Sequence, residues 1–311
     1  MKIEFAKLSG SGNDFVCIDN RDGRYDAPLS DAETAASFAR ELCSRSKGIG
    51  ADGLIVALEP DIPGVADIAA RFLESDGTEC KLCGNGTACF AYWVEHSGWA
   101  PPGELKILTP AGVVLAEDGR DGYVRVCIPL PENTQTDLTL EALGEKLTCD
   151  YVVTGVPHAI TYVEDVDSAD ICRLGPALRS HEKFQPRGAN ANFVEILDEG
   201  EIALRTWEFG VEGETLACGT GSAAAAILAA VRHEWPDDYM TGRKPVLVHS
   251  RGGDILRVYF TRQEDGGISD VCLETVVRFL FTGTVHADLA ARAFPDGSPQ
   301  GTPARAPEAA G

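Results

Sequence analysis

Leu82-Cys83-Gly84-Asn85-Gly86-Thr87-Ala88 and Ala217-Cys218-Gly219-Thr220-Gly221-Ser222-Ala223 repeat one pattern in the two halves of the chain: a cysteine, Gly-x-Gly, a small hydroxyl residue, then an apolar run of helical length. A cysteine so placed stands at the mouth of a helix, where unpaired N–H groups and the positive end of the dipole favour a thiolate. The same N–H groups can hold a carboxylate. Two copies imply a pseudo-twofold site with a sulfur on each side of one bound anion. That arrangement suits removal of a proton from one face of a carbon and its return to the other.

The elements that must carry these groups can be read from periodicity. Strands are expected at Lys2–Lys7, Phe15–Ile18, Leu54–Leu58 and Ala66–Leu73, with a glycine-rich turn at Ser9–Asn13. A helix should start at Ser30 or Asp31 and run to Leu42 with Ala35, Phe38, Ala39 and Leu42 on one face. Another runs from Thr87 to Glu95, ahead of strands near Leu105–Leu108 and Val113–Ala116. In the second half strands fall near Tyr123–Ile128, Tyr151–Val153, Ile160–Val163, Phe193–Leu197 and Ile202–Trp207, and later near Val246–Ser250, Ile255–Phe260 and Val276–Phe281. The helix Gly221–Arg232 is nearly all apolar through Ala223–Ala230, so it must be buried on every side, most naturally inside a curved sheet. Asp14–Ile18 and Asn192–Ile196 read as a second, weaker echo between the halves. From Ala291 the chain loses periodicity and is expected to form a disordered tail.

With 311 residues the chain exceeds what one hydrophobic core usually serves, which predicts two domains. A formal net charge of −21 argues against nucleic acid or an anionic membrane surface as partner. No stretch approaches a membrane span, and Met1–Phe5 lacks the apolar core of a signal peptide, so a cytoplasmic protein is expected. The 10 cysteines are then expected to be reduced. Cys17, Cys127 and Cys272 read as small core hydrophobes. Cys80-x-x-Cys83, with Cys89 nearby, has ligand-like spacing, but a structural zinc site needs a second pair at matching spacing, and Cys218 stands alone in its half.

Taken in order, Gly12-Asn13-Asp14-Phe15, Gly48-Ile49-Gly50-Ala51-Asp52-Gly53, Cys83-Gly84-Asn85-Gly86, Gly155-Val156-Pro157-His158, Gly213-Glu214-Thr215 and Cys218-Gly219-Thr220-Gly221 resemble the diaminopimelate epimerase family over about residues 1–287. The resemblance implies an α/β fold of two pseudo-symmetric β-roll domains, each wrapped around a central helix. The expected boundaries are 1–121 with a returning strand 276–290, then 122–275, then the tail 291–311. It implies inversion of an amino-acid α-carbon with no pyridoxal phosphate or metal, by family default LL- to meso-2,6-diaminopimelate in lysine and peptidoglycan synthesis. Cys83 and Cys218 would be base and acid, with His158 and Glu208 beside them. Gly84, Asn85, Gly219 and Thr220 would hold the α-carboxylate, and Asn13 and Asn190 would orient the substrate. A small-molecule substrate and a homodimer are expected, with no nucleic acid or membrane partner.

Three positions depart from the family pattern. Where many members carry Glu-Arg-Gly, with the arginine gripping the substrate's distal carboxylate, this chain has Glu208-Phe209-Gly210. Glu74 stands where many have Asn, and Val156 replaces the Asn of Gly-Asn-Pro-His. Losing a cation and gaining an anion suits a neutral or basic distal end, so racemisation of lysine, ornithine, arginine or histidine is the alternative, unless Arg187, Arg205 or Arg243 supplies the charge. A carbon–carbon isomerase on the same scaffold is more distant, because such proteins generally lack the cysteine pair. A thiol-rich metal-binding protein is the non-enzymatic alternative. If closure brings the two sulfurs together, air oxidation to a disulfide is expected to lower activity.

Overall fold

The computed structural model describes residues 2–101, 103–119 and 122–293. The described residues divide into two compact units, one within 2–9, 14–115 and 278–293, the other within 10–13 and 116–277. Around the first unit run β1 (Glu4–Gly10), β2 (Asn13–Asp19), α1 (Asp26–Leu29), α2 (Ala32–Cys43), β3 (Gly53–Leu58), β4 (Ile68–Glu74), β5 (Glu79–Cys80), α3 (Gly84–His96), β6 (Glu104–Thr109) and β7 (Gly112–Asp118). The second carries β8 (Tyr123–Cys127), β9 (Glu132–Ala142), β10 (Glu145–Thr154), β11 (Val156–Tyr162), α4 (Ile171–Arg179), β12 (Asn190–Asp198), β13 (Glu201–Glu208), β14 (Gly213–Thr215), α5 (Gly219–Arg232), α6 (Asp237–Met240), β15 (Val246–Ser250), β16 (Ile255–Arg262) and most of β17 (Ile268–Thr284). Helix α7 (Ala287–Ala293) returns to the first unit and takes in Ala291 to Ala293 of the expected tail, the rest of which lies outside the described residues.

The two units repeat one topology. In the first, β2 pairs parallel with β3 across the α2 crossover, β3 antiparallel with β4, β4 antiparallel with β5, and β4 parallel with β6. In the second, β11, β12, β13, β14 and β15 are joined by the same sequence of pairings, with α4 as the crossover. The residues β2 and β12 share in sequence therefore do not hold equivalent places: β2 opens the parallel pair of its unit, whereas β12 completes the pair in the other, where its counterpart is β3.

Local chemistry explains the elements. Asp31 caps α2 by accepting from the Glu33 and Thr34 N–H groups, and Ala35, Phe38, Ala39 and Leu42 are buried as their spacing predicts. In α5 every residue from Gly221 to Ala230 is buried, against Val152, Ile160, Val194, Leu204, Val258 and Leu273 of the surrounding strands. Alanines let those strands close around the helix. A leucine at Ala225 would cost on the order of 1–3 kcal/mol by overpacking. The β9–β10 hairpin went unread beyond Tyr151–Val153 because β9 is mostly solvent-exposed and polar, so it shows no apolar alternation. Of the three cysteines read as core, Cys17 is buried, but Cys127 and Cys272 are only half-buried and lie directly opposite each other across β8 and β17.

Candidate active site

In the second unit Cys218 occupies the N-cap of α5 in an extended conformation (φ −127°, ψ 109°). The Ser222 hydroxyl donates to the Cys218 carbonyl at 2.9 Å, and that of Thr154 to the Thr220 carbonyl at 3.0 Å, pinning the helix mouth. Cys218 is buried, and its Sγ lies 3.7 Å from Thr220 Oγ1. Thr220 Oγ1 is in turn 3.0 Å from His158 Nε2. His158 is fully buried on β11, and burial pushes its pKa down to about 3. It is thus a strand residue within a polar chain leading to the sulfur. Asn192 and Thr206, which the sequence reading missed, extend this chain on β12 and β13. A signal existed: Asn190 and Asn192 alternate with Ala191 and Phe193 in an otherwise apolar run from Ala189 to Val194.

In the first unit Cys83 caps α3 with nearly the same backbone (φ −127°, ψ 115°), and the Gly86 N–H donates to its Sγ at 3.4 Å. The Thr87 hydroxyl donates to the Cys83 carbonyl at 2.8 Å, matching Ser222 in the other unit. The hydroxyl of the repeated motif is therefore a helix-start device. Gly84 opens α3 and Asn85 is buried beside it. Glu74 ends β4 opposite Gly53, and its carboxylate accepts from the Cys80 thiol. The motif aspartates are structural: Asp14 and Asp52 each accept the other's backbone N–H at 3.1 Å, and Arg45 Nη2 reaches them at 2.8 Å and 2.6 Å.

Gly12 explains how Asn13 is placed. Its φ of +97° is one that a side chain rarely adopts, and a Cβ there would lie 2.6 Å from Leu216 Cβ. The turn ending at Asn13 therefore rests on the segment that leads into Cys218. Asn190, at the start of β12, accepts the Phe209 N–H on its Oδ1 at 2.7 Å. Glu208 closes β13 immediately before Phe209, which is 42% exposed.

The arginines named from the sequence are placed otherwise. Arg205 is held by both oxygens of Glu214, Arg243 pairs with Asp238, and Arg187 is exposed. The cation at that place is Arg179 from the end of α4, whose guanidinium lies 4.1 Å from the Phe209 ring centre and bonds Glu212. Sequence spacing gave no hint of it. Among the described residues no group of three or more His, Cys, Asp or Glu side chains is placed to hold a metal.

A family model described as diaminopimelate epimerase matches residues 5–128 and 151–268. The chain is 38% identical over 289 residues to the diaminopimelate epimerase of Aquifex aeolicus, covering 92% of this chain and 99% of that protein. Among solved structures, the PhzF-family phenazine biosynthesis protein of Bacillus anthracis is similar with a TM-score of 0.69 at 18% identity, covering 92% of this chain and 99% of that one. A probable proline racemase from Agrobacterium radiobacter gives 0.67 at 16% identity, covering 94% and 95%. At such identities the two structures speak for the fold alone, and they agree with two α/β units of rolled sheet around a helix.

Proposed function

The chain belongs to the diaminopimelate epimerase family, and from that premise we propose that it converts LL-2,6-diaminopimelate to the meso form with Cys83 and Cys218 as the proton-transferring pair. It is an isomerase. One sulfur, as thiolate, takes the α-proton: the C–H bond breaks, an S–H bond forms, and the electron pair stays on carbon. The other, as thiol, gives its proton to the opposite face. The N–H groups at the mouths of α3 and α5 (Gly84, Asn85, Gly219, Thr220) hold the α-carboxylate and take up the charge that develops on it. Asn13 and Asn190 orient the substrate, and His158 and Glu208 serve the proton traffic. The observation that carries this reading is the duplicated cysteine N-cap, with matching backbone angles in two units of one topology.

Phe209 favours a second reading, racemisation of a basic amino acid. Two contacts weigh against it. Arg179 keeps a guanidinium over the Phe209 ring, and Glu74 is engaged by the Cys80 thiol. The diacid remains the better fit. Among the described residues no helix is long and apolar enough to cross a membrane. A cytoplasmic homodimer serving lysine and peptidoglycan synthesis completes the proposal. The test is incubation of the full chain in D2O with LL-diaminopimelate and, separately, with lysine, ornithine, arginine and histidine. Deuterium at the inverted α-carbon of diaminopimelate alone supports the first reading, and exchange confined to the basic amino acids supports the second.

A further inference from the structure

Neither Cys127 nor Cys272 has a part in the proposed proton transfer, yet the second unit sets their side chains against each other. β8 and β17 run antiparallel, with Cys127 directly opposite Cys272. The Ile128 N–H donates to the Val271 carbonyl at 3.0 Å, and the Val277 N–H to the Gly122 carbonyl at 2.9 Å. Along such a ladder hydrogen-bonded and non-hydrogen-bonded pairs alternate. Ile128–Val271 and Gly122–Val277 are of the first kind, so Cys127–Cys272, one step along, is of the second. At a non-hydrogen-bonded pair the Cα atoms stand about 4.5 Å apart and the side chains lie closer together. Disulfides span Cα separations of roughly 4.4–6.8 Å. The register thus already provides the separation that a disulfide requires.

The alternation of the two strands keeps both sulfurs within reach of solvent. Val126, Ile128, Val271 and Leu273 are buried, and Ile128, Val271 and Leu273 pack in the core around α5. Successive side chains point to opposite faces, so both thiols lie on the other face, where each is half-buried. The next pair on that face is Arg125 and Glu274, joined by hydrogen bonds of 3.0 Å and 2.6 Å. Tyr259 stands opposite Cys272 on its other side, and the Arg125 guanidinium lies 4.3 Å from the centre of that ring. Polar groups and an aromatic ring therefore border the thiols, not core hydrocarbon. The Cys272 thiol is hydrogen-bonded to Cys127, and this contact, with burial, pushes its pKa above the ordinary thiol range. Cys272 thus keeps its proton while Cys127 reacts.

We infer that Cys127 and Cys272 form a modification site, a dithiol that a small-molecule disulfide oxidises to a cross-strand bridge stabilising the second unit. The Cys127 sulfur, as thiolate, attacks one sulfur of R–S–S–R; a new S–S bond forms as the old one breaks, and R–S⁻ leaves with its electron pair. The Cys272 proton passes to that departing thiolate. Cys272 then attacks Cys127 Sγ and displaces the second R–S⁻, which takes up the proton that Cys127 gave to water. Two protein thiols are oxidised by two electrons, and one small disulfide is reduced to two thiols. The bridge joins two positions far apart in the chain, so it restricts the unfolded state more than the folded one. It ties together strands whose inner neighbours enclose α5, the helix with Cys218 at its mouth. An excess of reducing thiol runs the exchange backwards.

The test uses the full chain, reduced, freed of reductant, incubated with oxidised glutathione, then alkylated and digested. Peptide mapping by mass spectrometry should find the Cys127 and Cys272 peptides joined, with the loss of two hydrogens, and separated again by dithiothreitol. The exposed Cys172 should carry a glutathionyl group instead. Thermal unfolding of the bridged chain should come at least about 4 °C above that of the reduced chain, a shift absent from Cys127→Ser and Cys272→Ser. Should a serine variant fail to fold, the native chain with and without dithiothreitol decides alone. Both thiols remaining open to alkylation, a mixed disulfide persisting at Cys127 with Cys272 free, or a bridged chain that unfolds no later than the reduced one overturns the inference. None of these readings uses turnover, so failure to act on diaminopimelate counts against the proposed function alone.

Discussion

The guanidinium of Arg179 lies over the ring of Phe209, 4.1 Å from its centre. Its Nε and Nη2 both donate to Glu212 Oε1, at 3.2 Å and 2.9 Å, and the Phe209 N–H is held by Asn190. A cation at the end of α4 is thus set against the residue that follows β13. Such a stack favours the guanidinium by about 0.5–2 kcal/mol and keeps it planar to a carboxylate.

If Arg179 recognises the distal carboxylate, Arg179→Ala should lower kcat/KM for LL-diaminopimelate roughly tenfold to a hundredfold, the worth of one charge-assisted pair. Adding Phe209→Arg should recover part of the loss. Steady-state kinetics on both variants checks this, and an undiminished kcat/KM in Arg179→Ala would remove Arg179 from substrate recognition.

Alanine at either Cys83 or Cys218 should abolish most inversion, because each face of the carbon needs its own proton carrier. Serine should leave a trace, its hydroxyl being a far poorer base at neutral pH. Chiral chromatography of the products is sufficient. A single variant with near-native turnover contradicts the two-base mechanism.

His158 makes stability depend on pH in a definite direction. Its pKa falls from 6.5 to about 3 on folding, through burial. Below pH 6.5 the unfolded chain takes up a proton that the folded chain refuses, so this group lowers stability as pH falls towards about 3 and contributes no slope above 6.5. Urea unfolding at pH 7 and at about pH 4.5 should therefore cost the native chain roughly 2–3 kcal/mol more than it costs His158→Asn. Equal losses in the two proteins would show that the ring is solvated.

Gly221→Ala should be worse tolerated than Gly86→Ala. The added methyl would press on Asn192 Oδ1 at 2.6 Å in one case and on the yielding Phe72 ring at 3.2 Å in the other. An expected cost of about 1–3 kcal/mol for Gly221→Ala, with a smaller one for Gly86→Ala, is measurable by thermal unfolding.

Much of this molecule follows from local rules. A cysteine before Gly-x-Gly and a small hydroxyl residue is an N-cap, Asp31 starts a helix, and an all-alanine run must be surrounded; each depends on residues within a turn or two of one another. For that reason the two cysteines, the central helices and the repeated halves were legible before any coordinates. The long polar β9 was not, since a solvated strand carries no periodic signal, and the echo of β2 in β12 misled because similar strands can hold different places in a sheet. The polar partners behind Cys218, Thr220, His158, Asn192 and Thr206, were decided by tertiary structure. They depend on which residue of one strand lies opposite which of the next, and register is set by packing across the whole sheet. Arg179 reaches Phe209 for the same reason: α4 and β13 are brought together by the fold, at a separation in the chain over which no sequence pattern carries information about contact.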